Sequence, residues 1–168
     1  VDNKSLTHRP DLWGHFGIAR EFATIFNQEL KVPFSEAWAK ELKAKFTTEK
    51  APVSIKVEEG TSCLGYFGLS VDNIKVGDSP LWMKRRLQAV GLRPINNIVD
   101  ISNYVMLELG IPLHIFDRSK INGDSVIISS LDAENKFTTL DEEERTLIAG
   151  DTVIGDSHKP LVLDGIMG

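Results

Sequence analysis

A guanidinium, three amides, a carboxylate and an imidazole crowd into one stretch of the chain, as Arg93, Asn96, Asn97, Asp100, Asn103 and His114. Zinc chemistry is disfavoured, because His8, His15 and His158 are scattered and no second His or Cys lies at ligand spacing. No nucleophile–base pair can be read, and no glycine-lysine-serine/threonine loop is present to cradle a phosphate. What remains is hydrogen bonding. Taken alone, His114 caps carbonyls or completes a core hydrogen bond. Arg93 is then a solvated turn arginine, or a charge favoured by a helix C-terminus. Asn96, Asn97 and Asn103 serve as caps and buried hydrogen-bonders. Asp117 bonds backbone N–H groups as its loop turns, and Lys84-Arg85-Arg86 reads as a solvated helix face.

Two helices must position these groups. Ser79 is expected to cap the first and Pro80 to open it, because proline's fixed φ suits the first helical position. Gly91 ends it by permitting the left-handed conformation. Asn96 or Asn97 caps the second helix, which closes before Gly110 and carries Ile98, Ile101 and Val105 on one face, buried against a sheet. Arg93 then lies in the inter-helix turn and His114 just past the second helix, held by Pro112. Both are expected to border one pocket.

The flanking sequence supplies the frame. Leu12, Phe16, Ala19, Phe22 and Phe26 recur at helical spacing, predicting an amphipathic helix from Asp11 to about Asn27. Ser35 caps another, with Trp38, Leu42 and Phe46 along one side. Thr47 to Pro52 reads as a linker. Val53, Ile55 and Val57 alternate with polar residues as in a half-buried strand. Leu64 to Val71 reads as a strand interrupted by Gly65 and Gly68. Further strands are expected at Ser125–Ser130, Lys136–Leu140, Arg145–Ile148, Thr152–Ile154 and Leu161–Leu163, with Asp141-Glu-Glu-Glu as a hairpin turn. The order implies an α+β fold: a helical N-terminal lead-in over residues 1–50, then a mixed, largely antiparallel β module with a central helix pair over 51–168.

Composition narrows the function classes. No run of eighteen apolar residues exists, so no membrane-spanning helix is expected. The start lacks an initiator methionine and a signal peptide's apolar core, and the chain reads as a piece cut from something longer. Cys63 is alone, which excludes an intrachain disulfide and fits a reducing cytoplasm. A net charge of −5 argues against a self-sufficient nucleic-acid binder, so the isolated chain is expected to bind nucleic acid poorly.

Three ordered blocks carry a resemblance. The central one runs through Leu81-Trp-Met, Gly91-Leu-Arg, Asn103-Tyr-Val and Pro112-Leu-His-Ile-Phe-Asp117. Ahead of it stands Thr7-His-Arg-Pro-Asp-Leu-Trp-Gly-His-Phe-Gly-Ile-Ala-Arg-Glu21, and Pro160-Leu-Val-Leu-Asp-Gly-Ile-Met-Gly168 follows. Together they resemble the beta subunit of bacterial phenylalanine–tRNA ligase, across most of its editing module, with a weak middle from about Val32 to Gly60. Ile111 replaces the family's usual glutamine, and Ile115 and Asp164 each replace an alanine.

The resemblance implies that His114 and Arg93 line the editing pocket. His114 would hydrogen-bond an ester or ribose hydroxyl, or position water. Arg93 would contact the substrate or the terminal adenosine's phosphate. Gly168, Gly165 and Asn103 would bind substrate, Gly168 leaving room for its ring. The module in this family hydrolyses tyrosine misattached to phenylalanine tRNA. Apolar pockets reject an added hydroxyl by only roughly 10²-fold, short of the roughly 10⁴–10⁵ that translation needs, so a second site must bind the phenol. The family's hydroxyl-reading glutamate and a further threonine are expected beyond Gly168, leaving the chain alone weak in editing or inactive. Also implied are an alpha subunit partner in an assembly of two alpha and two beta subunits, with ATP and magnesium used by the whole enzyme and no cofactor in this piece. Two rivals remain: a non-catalytic scaffold docking tRNA or subunits, and an unrelated small hydrolase. A deep pocket lined by Arg93 and His114 would favour editing, and a flat surface docking.

Overall fold

The computed structural model describes residues 4–32, 34–47, 51–139 and 142–163. They form a mixed α+β fold with helices at the N-terminus and the centre. The helices are α1 (His15–Ile25), α2 (Glu36–Lys43), α3 (Leu81–Ala89) and α4 (Asn97–Leu109); the strands are β1 (Ser54–Val57), β2 (Ser125–Ser130), β3 (Asn135–Thr138), β4 (Glu144–Leu147), β5 (Thr152–Gly155) and β6 (Pro160–Leu163). Two compact units divide the chain: Val1–Thr47 with Ile74–Ile115, and Thr48–Asn73 with Phe116–Gly168.

The first unit is helical. Ser35 caps α2 by accepting from the Trp38 N–H at 3.1 Å. The helix expected from Asp11 is broken at Gly14, which is extended at φ −123°, separating a 3-10 turn over Pro10–Trp13 from α1. The break follows from close packing. A Cβ on Gly14 would lie 2.3 Å from the Gly110 amide nitrogen, and one on Gly17 would meet the Asp11 carbonyl oxygen at 1.5 Å. The N-terminal segment thus packs on the C-terminal end of α4 rather than standing apart. Arg9 clamps it by donating to both Asp11 oxygens at 2.9 and 2.8 Å, and Arg20 adds a 2.7 Å bond. Arg9, with Arg20 behind it, holds the Asp11 carboxyl well below the usual range.

Helix α4 is packed within the first unit. It packs against α1, α3 and the Pro10–Trp13 turn. Ile98 and Val105 are half-buried and Ile101 is 42% exposed, so the stripe expected to be buried is only partly covered. On α3 the buried residues are Met83 and Leu87, one helical turn apart.

The second unit is built on a sheet of order β1-β2-β5-β6, with β1 parallel to β2 and the remaining pairs antiparallel. Val126, Ile128, Ile154 and Val162 form one buried cluster. Val153 and Leu163 join Leu147 in another, so β5 sends adjacent side chains into two apolar layers. Strands β3 and β4 form the expected antiparallel hairpin, although Leu140 and Asp141 lie outside the described residues. The strand expected at Leu64–Val71 is absent: the segment is irregular, and Leu64 and Phe67 stand almost wholly exposed. With two glycines and no ladder partner, its β-branched and aromatic residues have no pleated surface to pack on.

Candidate functional site

The α3–α4 hairpin is assembled by polar groups that reach across the connection. Helix α3 ends where Gly91 takes φ +86°, with the Leu92 N–H returning to the Leu87 carbonyl at 3.0 Å. Asn96 caps α4 by accepting from the Ile98 and Val99 N–H groups, both at 3.0 Å. Its neighbour Asn97 has another task. Asn97 Oδ1 accepts from the Gly77 N–H at 3.0 Å and Nδ2 donates to the Lys75 carbonyl at 3.0 Å, pinning the approach to α3 onto α4.

Asp100 is the keystone of the hairpin. It is fully buried, and among the described residues no cation pairs with it. Oδ1 accepts from the Ile95 N–H at 2.8 Å and Oδ2 accepts from the Ser79 hydroxyl. Ser79 is therefore not the cap of α3. Pro80 stands at that position without a side-chain cap, and the Ser79 hydroxyl turns inward to the carboxylate. A buried carboxylate must have its lone pairs answered by donors, and these contacts set the shape of the turn that carries Arg93.

Arg93 is exposed in that turn. His114 is also exposed, past the C-cap of α4 where Gly110 adopts φ +77°. Thirteen helical residues separate the two connections, an axial length of about 20 Å. Asn103 is half-buried midway along α4. Gly165 and Gly168 lie outside the described residues. Asp117 does what its loop requires, accepting from the Ser119 N–H at 3.0 Å and hydroxyl at 2.7 Å, which lower its pKa.

Two shallow concavities stand out. One, of about 270 Å³, is lined by Pro10, Asp11, Phe16, Arg20, Gly110 and Ile111 among others, beside the crossing of α1 and α4. His15 braces this crossing, with Nδ1 2.8 Å from the Leu107 carbonyl oxygen. The second, of about 410 Å³, lies between β3 and the β5–β6 turn, with Lys136, Phe137, His158 and Lys159 on its walls. Neither includes Arg93 or His114. Beside the second, Asp156 organises the turn. Burial alone would raise its pKa, yet the amides of Asn122, His158 and Lys159 and the Asn122 side chain donate to it and hold it well below the usual range.

One cluster is formed by residues of both helices. Trp82 and Tyr104 meet edge to face with ring centroids 5.3 Å apart. The Arg86 guanidinium lies 5.5 Å from the Trp82 centroid and 5.8 Å from that of Tyr104, and donates to the Tyr104 hydroxyl. The i, i+4 spacing of Trp82 and Arg86 was a visible signal; their meeting with Tyr104 on the next helix was not.

Comparison with known proteins places this arrangement. Residues 62–168 match the B3/4 domain family. The phenylalanine–tRNA ligase beta subunit of Bdellovibrio bacteriovorus is 44% identical over 165 residues, covering 98% of this chain and 20% of that protein. The same subunit is 41% identical in Solibacter usitatus and 40% identical in Clostridium acetobutylicum, each match covering 100% of this chain and 21% of the relative. The chain thus spans about a fifth of the length of these relatives. Similarity running from one end of the chain to the other, with the family match over the segment holding α3, α4 and strands β2 to β6, shows that the chain belongs to the B3/4 domain family, in the form found in bacterial phenylalanine–tRNA ligase beta subunits.

Proposed function

We propose that this chain carries the frame of an editing module that hydrolyses tyrosine misattached to phenylalanine tRNA. The observation that supports it most is the colinear similarity to phenylalanine–tRNA ligase beta subunits along the whole chain. In this reading residues 51–168 are the module and residues 1–50 its helical lead-in. The partners are phenylalanine tRNA and an alpha subunit, two of each subunit in the assembly, working in the cytoplasm.

His114 hydrogen-bonds the ester or a ribose hydroxyl of the terminal adenosine, or orients the attacking water. Arg93 contacts the terminal phosphate or the substrate, and Asn103, Gly165 and Gly168 complete the substrate side. The Asp100 network positions the Arg93 turn. An exposed imidazole and guanidinium are open to a macromolecular substrate and acquire their final geometry on binding it. ATP and magnesium serve aminoacylation by the whole enzyme. Among the described residues no cluster of three or more His, Cys, Asp or Glu is placed to hold a metal ion.

The exposure of Arg93 and His114, and their absence from both concavities, favours a second reading: a non-catalytic scaffold that docks tRNA or a subunit. Tyrosyl-tRNA hydrolysis by the enzyme containing this chain, with and without His114→Ala, decides between them. The editing reading expects a loss of about 100-fold in hydrolysis, with phenylalanine attachment unchanged. Unchanged hydrolysis leaves the docking scaffold.

A further inference from the structure

We infer that the Trp82–Arg86–Tyr104 cluster on the outer side of the α3–α4 hairpin is a stacking platform for an unpaired nucleotide of RNA, separate from the Arg93 and His114 positions. The identity of the partner as RNA rests on the reading above; the platform itself rests on its own geometry and charge.

The first observation is aromatic. Trp82 is 51% exposed although it lies on a helix whose buried residues are Met83 and Leu87. Tyr104 meets it edge-on, at an interplanar angle of 90°, which holds the indole upright. Arg86 is drawn against both rings and bonded to the Tyr104 hydroxyl, and that hydroxyl lies 3.4 Å from Glu108 Oε1. The Trp82 rotamer is thus held in place before any ligand arrives, which lowers the entropic cost of stacking a base on it. A half-exposed indole beside a guanidinium is what a single-stranded base requires, because every base offers a π-face and Arg adds a cation–π contact.

The second observation is charge. The chain is acidic overall, yet the stretch from Ser79 to Asn96 holds Lys84, Arg85, Arg86 and Arg93 with no Asp or Glu. Lys84 is answered by Asp78 at 2.9 Å and Arg86 is engaged with the aromatics. Arg85 is exposed on the same helix, available to a phosphate flanking the stacked base. Local positive charge beside an exposed aromatic is complementary to a nucleic-acid strand and mismatched to an apolar or cationic peptide. Lys84-Arg85-Arg86 is therefore more than a solvated helix face.

The test is titration of the full chain with a short single-stranded oligoadenylate at about 50 mM salt, where phosphate contacts are least screened. Tryptophan emission and anisotropy of a labelled strand are followed together. The platform predicts quenching on binding, a loss of roughly 10- to 100-fold in affinity for Trp82→Ala, and a much smaller loss for Trp82→Phe, which keeps a stacking face. Arg85→Gln should reduce the slope of log affinity against log salt by about 0.7, the value for one phosphate on a single strand. Undiminished binding by Trp82→Ala, equal loss in Trp82→Ala and Trp82→Phe, or no binding by the parent chain overturns the proposal. The two readings fail separately. Intact tyrosyl-tRNA hydrolysis with binding indifferent to Trp82 sinks only the platform. Trp82-dependent binding with hydrolysis indifferent to His114 sinks only the editing pocket.

Discussion

Asp100 concentrates more structural consequence than any other residue in the hairpin. Replacing it with Ala leaves the Ser79 hydroxyl and the Ile95 N–H without their acceptor in a buried site, each at a cost of about 1–3 kcal/mol. Urea unfolding of Asp100→Ala should show that loss, and equal stability would mean the hairpin does not depend on the carboxylate. Asp156 is the corresponding group in the second unit, and it makes a pH prediction. Its pKa is lowered in the folded state, so the stability it contributes is present above the ordinary carboxylate value near about 3.9. That contribution drains away as pH falls through this value toward the depressed folded one. Asp156→Asn should therefore be less stable than the parent at neutral pH and should unfold with a shallower acid limb below about pH 4. Parallel acid limbs in thermal melts would contradict this.

At the scale of elements, the crossing of α1 and α4 depends on backbones in near contact. Gly14→Ala puts a methyl 2.3 Å from the Gly110 nitrogen and 2.5 Å from the Leu109 carbonyl carbon, and neither is a side-chain end that can swing aside. The crossing must open, at a cost of about 1–3 kcal/mol or more by analogy with core overpacking. Gly77→Ala is the control, since nothing lies within 4 Å of the added Cβ, and it should stay within about 0.5 kcal/mol of the parent. Thermal melts of the two variants give the comparison, and equal midpoints would show that the crossing is looser than the structure draws it. Element boundaries set by local chemistry were legible in advance: an asparagine cap for α4, the left-handed Gly91, the stop at Gly110 and the Ser35 cap are all where the residues indicate. The split at Gly14 was not legible, because it answers to a residue ninety-six positions away in the chain. The missing strand at Leu64–Val71 shows the complementary limit, since apolar spacing proposes a strand and only a ladder partner makes one.

For the whole molecule, the acidic balance and the one basic hairpin together predict how the chain treats tRNA. At physiological salt, near about 0.15 M, it should bind intact tRNA more weakly than about 1 µM, because a single platform with few phosphate contacts is heavily screened. Filter binding or anisotropy checks this, and tighter binding would point to a larger RNA surface than the α3–α4 hairpin offers. Among the described residues no helix is long and apolar enough to cross a membrane. By itself, the sequence determined the α+β class, the helix pair with most of its caps and stops, the hairpin of β3 and β4, and the family. These follow from periodicity, capping chemistry and motif order, which act over a few residues or are written directly in the chain. Tertiary structure alone decided that α4 packs on α1 and α3, that Ser79 serves Asp100 rather than α3, that Arg93 and His114 flank α4 exposed, and that Trp82, Arg86 and Tyr104 share a surface. Each of these depends on which distant backbone or side chain satisfies a donor, fills a gap or leaves a face open, and no local pattern encodes that choice.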